Sequence, residues 1–256
     1  MEPISTNADK PRVTGRTRAT VIALDRVILT FARRWLLFFN LFILLYVGLP
    51  FAAPLLMRAG FTTGAKLIYT VYGPLCHQLG YRSWFLFGEQ TNYPRAEFEA
   101  RTGINPDDLW GARAFVGDAV LGYKVAFCQR DVAIYGGILA AGLFYGLPFV
   151  RGRLKPLHWI GWLVLGIGPI ALDGFSQLFS QYPYSSLPLF NLLPVRESTP
   201  LFRTLTGALF GLANAWLAYP YVEESMREVY VQLRDKLARV DAEPPAVGGG
   251  APGGAR

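Results

Sequence analysis

Residues 35–57 read WLLFFNLFILLYVGLPFAAPLLM, an apolar run that contains no charged side chain. About 20 residues of this kind span the hydrocarbon core of a bilayer when they form a helix. Three further apolar runs have a similar length, at residues 132–150, 157–179 and 203–222. The sequence therefore predicts an all-α integral membrane protein with about four transmembrane helices.

The composition supports a membrane protein. Of the 256 residues, 52% are hydrophobic and only 17% are charged, whereas soluble domains carry about 25% charged residues. The net charge is +7, but no basic cluster with interleaved aromatic residues lies on a soluble segment. We therefore exclude nucleic acid as a partner and expect a lipid bilayer instead.

The orientation follows from lysine and arginine residues near the helix ends, which favour the cytoplasmic side. Residues 61–80 have a helical pattern, but a full span there would place the basic loop at 151–155 outside. We therefore predict a re-entrant or interfacial helix at 61–80. The expected location is the cell inner (plasma) membrane, multi-pass, with both termini cytoplasmic. The basic residues behind this prediction are Lys10, Arg12, Arg16, Arg18, Arg26, Arg33, Arg34, Arg151, Arg153 and Lys155.

The chain divides into segments of different composition. Residues 1–18 are polar and predict a disordered basic N-terminus. Residues 19–220 form the predicted helical membrane domain, in which residues 89–127 are a small outer insertion with soluble character. Apolar positions at helical spacing predict an amphipathic cytoplasmic helix at 221–240. Residues 241–256 are rich in Gly, Pro and Ala and predict a flexible tail.

Two pairs of glycines are spaced for close helix packing. Gly142 and Gly146, like Gly207 and Gly211, are separated by three residues, so each pair lies on one helix face. This pattern predicts helix contacts and carries no chemistry of its own.

Both cysteines and one of the two histidines lie in short polar motifs next to apolar runs. Cys76, His77, Cys128 and Asp131 supply thiol, imidazole and carboxylate groups, which are the ligands of zinc. Two alternatives remain open at this stage: a structural disulfide between Cys76 and Cys128, or packed free thiols. The cofactor stays unknown, with zinc as the candidate.

A second group of polar residues is predicted at the outer face. Asp173 and Gln177 lie one helical turn apart, and ionisable groups at membrane depth are functional candidates. Asp173 and Glu197 are the candidate catalytic acid or base, and the alternative for Asp173 is a buried ion pair with an arginine. The candidate substrate-binding residues are Gln78, Arg82, Arg130, Gln177, Arg196, Ser198 and Arg203.

Four stretches carry a family resemblance: CHQLGYRSWFLFGEQ (76–90), FCQRDVAIYGG (127–137), LDGFSQLF (172–179) and RESTPLFRTLTGALFG (196–211). They resemble a family of small prokaryotic predicted membrane proteins known as domain of unknown function 2085. The resemblance implies a multi-span helical fold over roughly residues 70–215 and no established reaction.

This chain departs from the family pattern at Asp131, where the family usually has the second cysteine of C-x-x-C. If the family binds metal, the resemblance implies an oxygen ligand at Asp131. If the family performs thiol redox chemistry, the resemblance implies that this chain, with Asp131 in place of the cysteine, is an impaired or specialised member. The 89–127 insertion is also longer than the family norm, which implies a surface for a partner.

The sequence leaves it undecided whether the protein is an enzyme. Phosphate-binding glycine loops, G-x-S-x-G, H-E-x-x-H and C-x-x-C-H motifs are absent. The favoured reading is an accessory or binding component, stabilised by a metal or a disulfide, within a larger membrane complex or a homo-oligomer. The alternative is a membrane-embedded enzyme that acts on a lipid or isoprenoid substrate, and a transporter is a third reading.

Overall fold

The computed structural model describes residues 15–180 and 194–242. The predicted disorder at 1–14 and the predicted tail at 243–256 lie outside these residues, and residues 15–18 belong to the first helix. The helices are α1 (Gly15–Arg58), α2 (Thr62–Tyr72), α3 (Arg95–Thr102), α4 (Leu109–Ala114), α5 (Gln129–Tyr145), α6 (Trp159–Trp162), α7 (Gly168–Ser180) and α8 (Pro200–Ala242). A π-helical turn, Leu163–Ile167, joins α6 to α7 and precedes Pro169, which cannot donate a backbone hydrogen bond.

Two of these helical segments are long and apolar enough to cross a membrane, Gly15–Arg58 and Trp159–Ser180. Helix α5 has 17 residues and rises about 26 Å, less than the hydrocarbon core of about 30 Å. It ends at Tyr145 because Gly146 and Pro148 follow. The spans expected at 132–150 and 203–222 therefore remain predictions.

The chain has two compact units. In the described part of the first unit, the beginning of α1 and the end of α8 are joined by polar contacts. Arg26 binds Asp241 at 3.0 Å, and the Nε1 of Trp35 donates to Glu223 at 2.8 Å. The helix expected at 221–240 is present, but it is the continuation of α8 rather than a separate helix.

The second unit, Leu36–Val222, corrects the all-α prediction because it contains a small antiparallel sheet. Strands β1 (Ser83–Leu86), β2 (Gly117–Asp118) and β3 (Gly122–Cys128) are arranged in the order β1-β3-β2. At the tight turn before β3, the Oδ1 of Asp118 accepts hydrogen bonds from the backbone of Val120 and Leu121. Ser83 pairs with Cys128 in the register, so the sheet brings β1 to the end of β3.

Helix α2 positions the loop that carries Cys76 and His77. It has 11 residues and rises about 17 Å, which is too short to cross a bilayer alone. Its buried face presents Tyr69 and Tyr72 to β3, where the ring of Phe127 lies 4.8 Å from that of Tyr72. Cys76 and Cys128 belong to this same buried cluster.

The predicted insertion at 89–127 shares a separate core with residues 79–85. Tyr81, Phe85, Tyr93 and Phe98 form a buried cluster, in which the rings of Phe85 and Tyr93 meet edge to face at 5.1 Å. Edge-to-face pairs of this kind favour packing beyond the area that they bury. The insertion is therefore a folded cap, built from α3, α4 and most of the sheet.

Candidate functional site

A left-handed turn brings Cys76 to the end of β3. Gln78 has a φ of 50°, a conformation that is uncommon outside glycine. Its Nε2 donates to the carbonyl oxygens of Tyr69 and Ala126, each at 3.0 Å, which fixes the turn between α2 and the sheet. Gln78 was a candidate substrate-binding residue, and the structure instead gives its buried side chain two backbone partners.

Three candidate metal ligands converge at this turn. The Sγ of Cys76, a ring nitrogen of His77 and the Sγ of Cys128 all lie within 4.8 Å of one another. The Sγ of Cys76 also accepts the backbone N–H groups of Gln78 at 3.4 Å and Cys128 at 3.3 Å. Both cysteines are free, so the structure does not contain the alternative disulfide.

The fourth predicted ligand, Asp131, lies beside this group. In the first turn of α5, its Oδ2 accepts a hydrogen bond from the Sγ of Cys128 at 3.1 Å. Tetrahedral zinc, with Zn–S of about 2.3 Å and Zn–N of about 2.05 Å, separates sulfur and nitrogen ligands by about 3.6 Å. The Sγ of Cys76 and the Nδ1 of His77 are 3.9 Å apart. Shifts of a few tenths of an ångström would bring these two atoms to the separation of zinc ligands.

The electrostatics of the cluster favour neutral ligands when no cation is bound. The hydrogen bond with Cys128, together with burial, raises the pKa of the Cys76 thiol. Partial desolvation and the positive charge of Arg82 lower the pKa of His77, so its imidazole is neutral near pH 7 and a ring nitrogen can bind a metal. A cation that binds here would take the place of the thiol protons.

Asp173 is the centre of a buried ionic network. Its Oδ2 is 2.5 Å from Arg130, and its Oδ1 is 2.9 Å from Arg196. The hydroxyl of Ser198 donates to the same carboxylate at 2.8 Å, and Gln177 donates to the backbone oxygen of Asp173 at 2.7 Å. The structure thus brings together five predicted site residues, and it forms the ion pair that was the alternative reading of Asp173.

Glu197 is the centre of a second network. Its carboxylate accepts two hydrogen bonds from Arg82, at 2.8 and 3.0 Å, and it also binds Arg203. Arg203 donates to the Oε1 of Gln129 at 3.2 Å, and Gln129 in turn donates to Ser83 at 3.2 Å. Both predicted catalytic carboxylates are therefore engaged by arginines.

Sequence reasoning missed Lys124, which is fully buried in β3. Its Nζ donates to the carbonyl oxygens of Gln78 at 2.7 Å and Arg113 at 2.5 Å, so it ties the cysteine loop to the cap. Burial lowers the pKa of Lys124 to about 7. The sequence carries no signal for this role, because a lysine in an apolar segment usually reaches solvent.

The fold and this cluster define a class: a mostly helical protein with two candidate membrane spans and a Cys76/His77/Cys128 group that could hold a metal. Residues 117–217 match the family described as predicted membrane protein (DUF2085). The match includes Cys128 and Asp173 and begins after the loop that holds Cys76.

The chain is also similar to a curated protein. The uncharacterized protein MJ1492 of Methanocaldococcus jannaschii is 25% identical over 188 residues, which cover 70% of this chain and 86% of the relative. No solved structure matches the chain.

Proposed function

We propose that this protein is a membrane-bound metal-binding component whose outer cap is held together by zinc. Cys76, His77 and Cys128 would be the ligands, and Asp131 would complete a tetrahedral set. The observation that carries the proposal is the convergence of two thiols and an imidazole within 4.8 Å, on a loop and a strand that are far apart in sequence.

The surroundings of the ligands support a bound cation. Two backbone N–H groups meet the Sγ of Cys76, and they would stabilise its thiolate once a cation has displaced the thiol proton. Two thiolates and a carboxylate with Zn²⁺ would leave one negative charge. Arg82 and Arg130, whose positive charges act on His77, would compensate that charge.

The test is elemental analysis of the detergent-purified protein, combined with native mass spectrometry under non-reducing conditions. We expect about one zinc ion per chain, lost in Cys128→Ser and in His77→Ala. The matched control is His158→Ala, which replaces the other histidine, far from the cluster in sequence and exposed. Zinc retained by Cys128→Ser, or a metal-free mass lower by two hydrogen atoms, would overturn the proposal; the second result would establish a disulfide.

The role in the cell that this site supports best is an accessory or binding component. We place the cap on the outer side of the plasma membrane and both termini in the cytoplasm, because Lys and Arg are enriched in the N-terminal segment and at 151–155. The folded insertion at 89–127 would contact a partner, a larger complex or a second copy of the chain. Purification of the zinc-loaded protein with a stoichiometric partner would support this role, whereas a monomer without one would count against it.

One observation favours the alternative, a membrane-embedded enzyme that acts on a lipid or isoprenoid substrate. A pocket of about 470 Å³ is lined by the polar residues Asp173, Ser176 and Arg196 and also by leucines and Phe202. Such a pocket suits an anionic head group with an apolar chain. An Asp173→Asn variant that folds normally but loses lipid turnover would favour the enzyme, and unchanged turnover would remove Asp173 from that role.

A further inference from the structure

A pocket of about 800 Å³ opens beside the candidate metal centre, within the size range of small-molecule sites. We call it the arginine pocket. Its lining brings together three guanidinium groups, one imidazole and two aromatic rings. The residues that the argument uses are His77, Tyr81, Arg82, Arg95, Trp110 and Arg113.

The arginines of this pocket are held by aromatic rings and by the backbone. The guanidinium carbons of Arg82 and Arg95 lie 5.4 and 5.7 Å from the centre of the Tyr81 ring. That of Arg113 lies 5.8 Å from the ring of Trp110, and its NH2 group donates to Gly73 at 2.9 Å. Cation–π contacts of this kind fix the planes of the guanidinium groups, so the pocket is built before a ligand arrives.

Buried Lys124 joins the two sides of the pocket. Through one amino group it binds the backbone oxygen of Gln78, next to His77, and the backbone oxygen of Arg113. The positions of His77 and Arg113 are therefore coupled through the protein backbone, without any ligand between them.

The pocket has more positive than negative charge. Three arginines line it, and Asp107 is the carboxylate among the lining residues. Asp107 binds Arg95 but its side chain is 78% exposed, so solvent weakens this pair. Glu197 binds Arg82 and is not part of the lining. Each guanidinium has five N–H donors in a fork that matches phosphate oxygens.

We propose that the arginine pocket binds a phosphate monoester, with Trp110 covering the apolar part of the ligand. A phosphate monoester carries about −1.5 to −2 charges near pH 7, which suits the excess of arginines better than the single charge of a carboxylate. Trp110 lines the pocket and is 78% exposed. This site goes beyond the metal centre and does not require a metal.

The experiment is calorimetric titration of phenyl phosphate into the detergent-purified protein, with and without added zinc. In a second arm, the protein is placed in nanodiscs with or without phosphatidic acid, a lipid whose head group is a phosphate monoester. Inorganic phosphate is titrated as the ligand without an apolar part. Binding of phenyl phosphate in nanodiscs with and without phosphatidic acid identifies a soluble ligand. If phosphatidic acid in the nanodiscs weakens the binding of phenyl phosphate, the ligand is a lipid head group.

Three variants and one control locate the site. Arg95→Gln and Arg113→Gln should each weaken binding about tenfold, because each removes a charge-assisted hydrogen-bonding group. Trp110→Ala should reduce the preference for phenyl phosphate over inorganic phosphate. The control is Arg101→Gln, which changes an arginine of the same cap that binds Glu89 and Glu97, outside the pocket. Its affinity should equal that of the unchanged protein.

The outcomes separate this proposal from the metal site. Phenyl phosphate or phosphatidic acid binding that is weakened by Arg95→Gln, and not by Arg101→Gln, supports the pocket even if no zinc is found. Absence of binding in both arms, or equal weakening by the control, overturns it even if zinc is bound.

Discussion

Glu197→Gln should destabilise the protein by about 3 kcal/mol, because it leaves a buried arginine without its carboxylate. Glu197 accepts both hydrogen bonds of Arg82 and also binds Arg203. The side chain of Arg203 is only 4% exposed, so water cannot replace the lost partner. If the role of Glu197 is structural rather than catalytic, its replacement lowers the free energy of unfolding even when no substrate is present.

The magnitude follows from the remaining contacts of Arg203. Removing one partner of a buried ion pair costs about 3–5 kcal/mol. The lower end applies here because Arg203 still has the oxygens of Gln129 at 3.2 Å and Tyr81 at 3.4 Å as acceptors. Glutamine at 197 also keeps one side-chain oxygen that can accept a hydrogen bond.

The assay is reversible unfolding by sodium dodecyl sulfate in mixed micelles of fixed composition. Glu89→Gln is the matched control, because Glu89 binds Arg101 with both side chains well exposed, at 57% and 36%. Exposed pairs contribute about 0–1 kcal/mol. The double variant Glu197→Gln/Arg203→Met removes the buried charge as well, and it should be more stable than the sum of the single changes by at least about 1 kcal/mol.

The refuting result is a Glu197→Gln variant as stable as the unchanged protein, with effects that add simply in the double variant. Such a result would mean that Arg203 does not depend on Glu197. The carboxylate would then be available for acid or base chemistry, as the alternative function requires.

Three further predictions follow from the same structure. Gly211→Ala should lower the free energy of unfolding by about 1–3 kcal/mol, because a Cβ there would overlap a carbonyl oxygen of α5. The control is Gly136→Ala, which should change this free energy by less than about 1 kcal/mol, because nothing lies within 4 Å of its Cβ. Equal effects of the two variants in detergent unfolding would contradict this packing. Burial lowers the pKa of Lys124 to about 7, below the value of about 10.4 in an unfolded chain, so stability should rise with pH between about 7 and about 10 and be level below that window, where the lysine is protonated in both states. Lys124→Met should remove this slope, and a slope that persists would point to another group. Membrane-impermeant maleimide added to intact cells should label Trp110→Cys and not Arg239→Cys if the cap is outside; the reverse pattern would invert the topology.

Two of the four predicted spans, the candidate membrane helices, were the part of the fold that local sequence could predict. The apolar run at 35–57 lies within α1, and the run at 157–179 coincides with the helical segment that ends at Ser180. Each signal is contained in one continuous stretch, so hydropathy alone finds it. The predicted ends of the helices were less accurate, because α1 already begins at Gly15 and α8 continues to Ala242.

The sheet could not be predicted, because its stability comes from partners far apart in sequence. Strand β3 is GYKVAFC, which looks like the approach to an apolar helix. Its pairing with β1 joins Ser83 to Cys128, and the consecutive residues Val125, Ala126 and Phe127 are all fully buried. Burial on both faces removes the alternation that identifies a strand.

The candidate site was partly predictable for a related reason. Ligand chemistry in the two short motifs indicated Cys76, His77 and Cys128, and the structure brings these three together. The same reasoning placed Gln78 with the substrate-binding residues, although its side chain serves the turn. Residue type indicates what a side chain can do, and only the tertiary contacts show which partner occupies it.

The start of α5 connects the candidate metal centre to both ionic networks. Cys128 meets Cys76, Gln129 binds Arg203, Arg130 binds Asp173, and Asp131 accepts from Cys128. Each of these four consecutive residues is thus held by at least one hydrogen bond or ion pair, and three of them are held to a residue outside the group. Such rigidity suits a structural metal, whose ligands must keep a fixed geometry. The arginine pocket, with three lining arginines against one in the pocket beside Asp173, is the better suited of the two to an anionic ligand.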